Sequence, residues 1–162
     1  MTASLCTAFP PLCGESPHIL ILGTFPSTLS REKGEYYGNP RNQFWRLAFG
    51  VFDIPFEQPD YELKKAVIYE NGVAVWDVIA ACEPEGALDS GIHNPVYNTA
   101  LPAFIKDHRI KNVFFNGNNA YLFYKRGIGT IERNVLPSSS PANAGMPFEK
   151  KLRLWKEALT GA

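Results

Sequence analysis

The sequence predicts an α/β fold: a three-layer αβα sandwich around a central four-stranded, mostly parallel sheet. Three observations carry that expectation. Short apolar runs alternate with stretches of helical character, four times over. The runs lack a polar face, as strands covered on both sides do. Each run gives way to polar or turn residues, and strand–helix alternation of this kind builds a parallel sheet with helices on both faces.

The elements follow in order. Residues 1–17, with Pro10, Pro11 and Pro17, form an irregular lead-in, and residues 18–162 form a single domain. His18 to Gly23 (HILILG) is the first strand. Thr24 to Pro40, with two prolines and two glycines, reads as a long loop, and long loops in compact domains are usually functional. Asn42 to Phe52 places Phe44, Leu47, Ala48 and Val51 at helical spacing, and Tyr61 to Glu70 is a second helix. Asn71-Gly72 breaks the chain before the strand Val73 to Val78, after which residues 82–96 form a Gly/Pro-rich loop. A helix over Val96 to Asp107, a strand over Lys111 to Phe115 and a helix over Gly117 to Arg126 come next. The strand Thr130 to Leu136 and the helix Pro147 to Leu159 close the chain.

In open sheets of this type ligands bind beyond the carboxyl ends of the strands. Four loops should therefore converge on one mouth: Gly23 to Ser27, the turn at Asp77, Asn116 to Asn119, and Pro137 to Pro141.

Bulk composition narrows the partners. No segment approaches the roughly 18 apolar residues of a membrane span, and Met1 to Leu12 lacks the basic start of a secretory signal, so a cytoplasmic protein is expected, with no membrane partner. The three cysteines, Cys6, Cys13 and Cys82, give no disulfide framework, and His18, His93 and His108 are scattered, so neither a metal nor a cofactor is expected. Net charge is zero, but from Lys106 onward ten Lys/Arg face four Asp/Glu, whereas the first 105 residues carry six against twelve. That asymmetry points to a polyanion against the C-terminal half, or to an unevenly charged surface. No heptad or apolar edge argues against a monomer.

Two segments carry the chemistry: LGTFPSTLSREKGEYYGNPRNQFW (Leu22 to Trp45) and VLPSSSPANA (Val135 to Ala144). With VWDVIAACEPEGALDSGI and VFFNGNNAYLFY between them, they resemble the uracil-DNA glycosylase superfamily, and most closely its hypoxanthine-DNA glycosylase branch. The likeness runs from His18 to Trp155 in the family's order. It implies a uracil-DNA glycosylase-like sandwich and a monofunctional, cofactor-free enzyme of base-excision repair. Its partner would be DNA containing a deaminated base, double-stranded or alternatively single-stranded.

The reaction defines what the residues must do. The target nucleotide leaves the stack and enters a pocket. As the base departs the sugar becomes oxocarbenium-like and the base gains negative charge, which fixed donors stabilise. Water then adds to a carbon that is already electrophilic, so an amide that orients it suffices. The resemblance makes Asn42, in the Asn42-Gln43-Phe44-Trp45 element, the catalytic asparagine; from position alone it is equally a helix cap. Asn116, at a strand end, is carried over as the second functional asparagine, against the alternative of a turn residue.

Phe44 is the candidate for stacking on the flipped base, or else a core residue. Tyr36 and Tyr37 would line the pocket or anchor their loop, and Thr24 and Phe25 complete its wall. Ser27, Ser138, Ser139 and Ser140 offer hydroxyls to phosphates, the serine run being otherwise a capping turn. Asn143 and Met146 belong to the loop that would enter the gap left by the base, with Met146 its apolar wedge. Asp89 would order a loop.

Two positions depart from the wider superfamily. Phe25 stands where mismatch-specific uracil glycosylases carry an asparagine, and Leu136 where a histidine usually donates to uracil. Both favour hypoxanthine over uracil as substrate. The remaining alternatives are a uracil glycosylase acting on G:U mismatches and a non-catalytic module that binds damaged DNA or nucleotides. No lysine nucleophile lies in the motifs, so hydrolysis without a Schiff base is expected.

Overall fold

The computed structural model describes residues 4–84, 92–143 and 145–162. The elements run β1 (Cys6–Thr7), β2 (Ile19–Gly23), α1 (Thr28–Lys33), α2 (Phe44–Val51), α3 (Tyr61–Glu70), β3 (Val73–Asp77), β4 (Ile79–Cys82), β5 (Val96–Tyr97), α4 (Leu101–Asp107), β6 (Asn112–Asn116), α5 (Asn118–Gly127), β7 (Val135–Leu136) and α6 (Phe148–Thr160).

The main sheet is four-stranded and wholly parallel, in the order β3-β2-β6-β7. Successive side chains on a strand point to opposite faces, so each central strand feeds two cores. Ile19, Ile21, Val73, Val75 and Phe114 pack against Phe44, Leu47, Val51, Ile68 and Trp155 of α2, α3 and α6. Leu20, Leu22, Ala74, Val113 and Phe115 pack against Leu101, Ala120 and Tyr124 of α4 and α5. These two cores make the three-layer sandwich, and every residue of β2 is buried.

Three segments differ from expectation. The Thr24 to Pro40 loop contains α1: Ser27 caps it by accepting from the Ser30 amide at 3.2 Å, and Gly34 ends it in the left-handed region with φ 69°. Six residues of mixed polarity show no apolar stripe, so periodicity cannot reveal such a helix, whereas its caps can. Secondly, β1, β4 and β5 form a small antiparallel sheet on the flank, where Cys6 lies opposite Cys82 as a pair of free thiols. Val96 and Tyr97 therefore belong to a strand, and the helix starts only after Asn98 donates its backbone N–H to the Val78 carbonyl at 2.8 Å. Thirdly, the last strand shrinks to Val135–Leu136.

Among the described residues no helix is long and apolar enough to cross a membrane. Asp89 lies outside the described residues.

Candidate active site

The four loops meet as the topology requires. A cleft of ≈ 1290 Å³ lies beyond the carboxyl ends of the parallel strands, lined by Gly23 to Ser27, Asp77, Asn116 to Asn119 and Ser138 to Asn143, and by Tyr36, Tyr37, Asn39, Arg41 and Asn42. It exceeds the ~300–1,000 Å³ of a small-molecule pocket, as a cleft that admits a nucleotide and part of its strand would.

Asn42 sits on the wall, half-buried, one residue ahead of the turn that opens α2. Its Oδ1 accepts from the Phe44 backbone N–H at 2.9 Å. A backbone N–H can only donate, so this contact fixes which end of the amide is oxygen. The cap of α2 is Gln43, so Asn42 stands one residue before it, braced by this turn bond on the cleft wall. Oδ1 keeps a second lone pair, and among the described residues Nδ2 donates to no other group.

The segment is held from behind. Gln43 donates its backbone N–H to the Ser139 carbonyl at 3.0 Å, and its Oε1 accepts from Lys151 Nζ at 2.9 Å. Lys151 is 1 % exposed, and burial pushes its ammonium below the usual lysine range.

Asn116 ends β6 with its amide engaged. Nδ2 donates to Ser139 Oγ at 2.8 Å and to the Tyr37 hydroxyl at 3.3 Å, while Oδ1 accepts from the Ser139 backbone N–H at 2.9 Å. Both amide hydrogens are in use, so Asn116 positions Tyr37 and the serine loop before it can read a base. Ser139 borders the cleft but is buried in this network, its hydroxyl and backbone N–H both bonded to Asn116.

Phe44 also differs from expectation. It is fully buried, and the Tyr37 ring stacks on it with centroids 4.0 Å apart and planes 12° from parallel. Of this stacked pair it is Tyr37 that lines the cleft. That ring is placed by a left-handed backbone, φ 52°, which is uncommon for a bulky residue. Neighbouring bonds hold it: Gly38 N–H donates to Ser30 Oγ at 2.9 Å and Lys33 Nζ to the Gly38 carbonyl at 2.9 Å. Tyr36 lines the cleft, but its hydroxyl donates to the Pro10 carbonyl at 2.8 Å and its carbonyl accepts from Trp45 Nε1 at 2.8 Å, so it anchors the loop.

The remaining candidates divide between rim and exterior. Thr24, Phe25, Ser27, Ser138, Ser140 and Asn143 line the cleft. Ser138 Oγ accepts from the Ser140 amide, Ser140 Oγ from the Ala142 amide, and Asn143 Nδ2 donates to the Ser138 carbonyl, so this loop is a self-braced turn that presents its edge. Met146 lines an adjoining depression with Leu154 and Ala158, which shares Gly117, Asn118, Ser138 and Asn143 with the cleft. Leu136 is buried in the core, so nothing at that position can donate to a base.

Several charged residues of the cleft carried no role in the sequence reading. Arg41, His93 and Arg126 line it, and Asp77 stands at its floor at the end of β3. Asp77 is 4 % exposed and its Oδ2 has no hydrogen-bond partner. Burial pushes its carboxyl up to about 7. A carboxylate closing an otherwise apolar strand was the available signal. Among the described residues no lysine lines the cleft.

The model of the uracil DNA glycosylase superfamily matches residues 10–160. The chain belongs to that superfamily. Among curated proteins it is similar to one named hypoxanthine DNA glycosylase from Methanosarcina acetivorans, 39% identical over 137 residues, which spans 83% of this chain and 86% of the relative. A protein of the same name from Methanosarcina barkeri is 35% identical over 154 residues, or 93% and 95% of the two chains. A solution NMR structure from Methanosarcina acetivorans, described as a candidate uracil DNA glycosylase, superposes with a TM-score of 0.70 at 31% identity over 96% of this chain and 99% of the other.

Proposed function

We propose that this protein is a monofunctional DNA glycosylase that hydrolyses the bond between hypoxanthine and deoxyribose in deaminated DNA. The observation that carries the reading is the Asn42 amide, held on the wall of a cleft at the carboxyl ends of the sheet in a chain whose curated relatives bear the name hypoxanthine DNA glycosylase.

In this mechanism the flipped base enters beside Tyr37, whose ring is backed by Phe44. As the glycosidic bond lengthens, the free lone pair of Asn42 Oδ1 orients a water toward the cation-like sugar carbon. Donors fixed where the base gathers charge contribute about 2.7–4 kcal/mol each, and Nδ2 of Asn42 is placed on the same wall. No covalent intermediate is needed, in keeping with the absence of a lysine among the described residues of the cleft. Arg41, Arg126 and the serine edge lie where phosphates of the bent strand would pass. Phe25 and the buried Leu136 leave the cleft without the amide and imidazole that would favour uracil.

Duplexes carrying hypoxanthine, uracil or xanthine, incubated with the protein in chelator and then cleaved at abasic sites with alkali, test the proposal. Hypoxanthine release faster than release of the other two is the expected result. Uracil released faster than hypoxanthine, or no abasic product from any lesion, contradicts it.

A further inference from the structure

Asp77, at the floor of the cleft, is buried with one carboxyl oxygen unpaired among the described residues. The Tyr37 hydroxyl is bonded to Asn116, and both amide hydrogens of Asn116 are taken. Asp77 Oδ2 is buried without a partner among the described residues. Native proteins seldom leave such an atom unsatisfied unless a ligand or water completes it. The surrounding chain makes room for the carboxyl: a Cβ on Gly23 would stand 2.7 Å from Asp77 Oδ1 and 2.8 Å from the Tyr37 hydroxyl, so glycine at the end of β2 lets both groups pack against the strand. The main chain is pinned as well, with Asn98 Nδ2 donating to the Asp77 carbonyl at 3.0 Å.

The shape of the substrate says which edge arrives there. A flipped nucleotide remains joined to its strand through the sugar, so the glycosidic nitrogen stays at the mouth and the opposite, Watson–Crick edge goes in first. In hypoxanthine that edge carries the N1–H donor and the O6 acceptor. Resting on the function proposed above, we propose that Asp77 reads the lactam edge of the flipped base, accepting N1–H on one carboxyl oxygen and donating its own proton to O6 from the other. A neutral carboxyl has one donor and one acceptor side by side, the complement of a lactam. The assignment makes Asp77 a specificity residue for 6-oxopurines and separates its work from that of Asn42 at the sugar.

The neutral form is the working form, and its surroundings favour it. Asp77 meets Gly23 from β2 and, from the loop before α2, the phenol of Tyr37, with Asn116 of β6 beyond it. Tyr36 stands near enough to feel its charge. The ionisable groups His93, Arg41 and Arg126 line the wider cleft. Burial, and no ion pair, sets the carboxyl's affinity for its proton.

The test compares DNA containing deoxyinosine with DNA containing 1-methyldeoxyinosine, which lacks the N1–H. Sites built to hydrogen-bond a substrate N–H reject analogues lacking it strongly, so the wild type should release hypoxanthine at least about 100-fold faster than 1-methylhypoxanthine. Asp77→Ala should bring the two rates within about threefold of each other, while binding abasic-analogue DNA as the wild type does. Asp77→Asn keeps a donor and an acceptor. It should retain hypoxanthine release and lose the decline in rate that the wild type shows above about pH 7. Equal rates on both substrates in the wild type, or discrimination undiminished in Asp77→Ala, overturns the inference. So does a wild-type rate that climbs with pH and vanishes in Asp77→Asn, the mark of a general base. A wild type that releases no hypoxanthine would instead sink the function itself.

Discussion

The wall and the floor of the cleft solve opposite problems. On the wall, Asn42 and the Ser138 to Asn143 turn satisfy their polar groups internally and keep spare valences toward solvent. On the floor, Asp77 is buried with one oxygen unpaired among the described residues. The wall is stable as it stands, whereas the floor carries a cost that the substrate relieves. Chemistry at the sugar needs a rigid, pre-aimed amide; selection of the base benefits from a group satisfied only when the right edge arrives.

That contrast can be broken in several ways. The largest expected effect concerns stability. The Asp77 carboxyl has an ordinary value of 3.8 and a folded value of about 7, so the unfolded chain releases its proton first as pH rises. The stability tied to the bound proton is complete below the ordinary value, falls through the interval between the two, and levels off above about 7. Three units correspond to about 4 kcal/mol at most. Urea melts of Asp77→Asn should show the variant gaining on the wild type across that interval, with an equal difference at every pH counting against the buried carboxyl.

Asn116→Ala comes next. It leaves the Ser139 N–H and Oγ without partners and frees Tyr37, a loss of about 1–3 kcal/mol. Hydrogen exchange should rise at Ser139 and Tyr37 together; a change at only one would disconnect the network. Phe44→Leu removes the ring under Tyr37 and should cost about 1 kcal/mol beyond the lost area, measured by a double-mutant cycle with Tyr37→Leu. The smallest effect is at the rim. Arg126→Ala should lower the salt slope of DNA binding by about 1 with the rate at saturating DNA unchanged.

The fold was legible where a single principle governed. β2 is apolar on both faces because helices cover both, and α3 is announced by the Asp60 cap, whose Oδ1 accepts from the Leu63 amide at 2.8 Å, and by Asn71-Gly72 at its end. The small sheet was hidden because Ile79–Cys82 and Val96–Tyr97 are too short for a period, and their pairing depends on chain brought from the N-terminus.

The site was legible in its motifs and less so in its directions. The strand-end loops follow from topology, but spacing cannot tell that Phe44 lies beneath Tyr37 or that Ser139 turns inward while Ser138 and Ser140 stay at the edge. Nor can it tell that Met146 borders the adjoining depression and not the cleft itself. The turn at Asp77 was placed at the mouth but given no role, because a lone acidic residue at a strand end is ordinary until its burial is known.

The most direct trial of the central claim is a single-turnover comparison of Asn42→Ala with the wild type on inosine DNA, with binding to the same DNA measured in parallel. The account predicts a rate lowered about 10²–10³-fold with affinity nearly intact. Hypoxanthine released by the variant at the wild-type rate would contradict it.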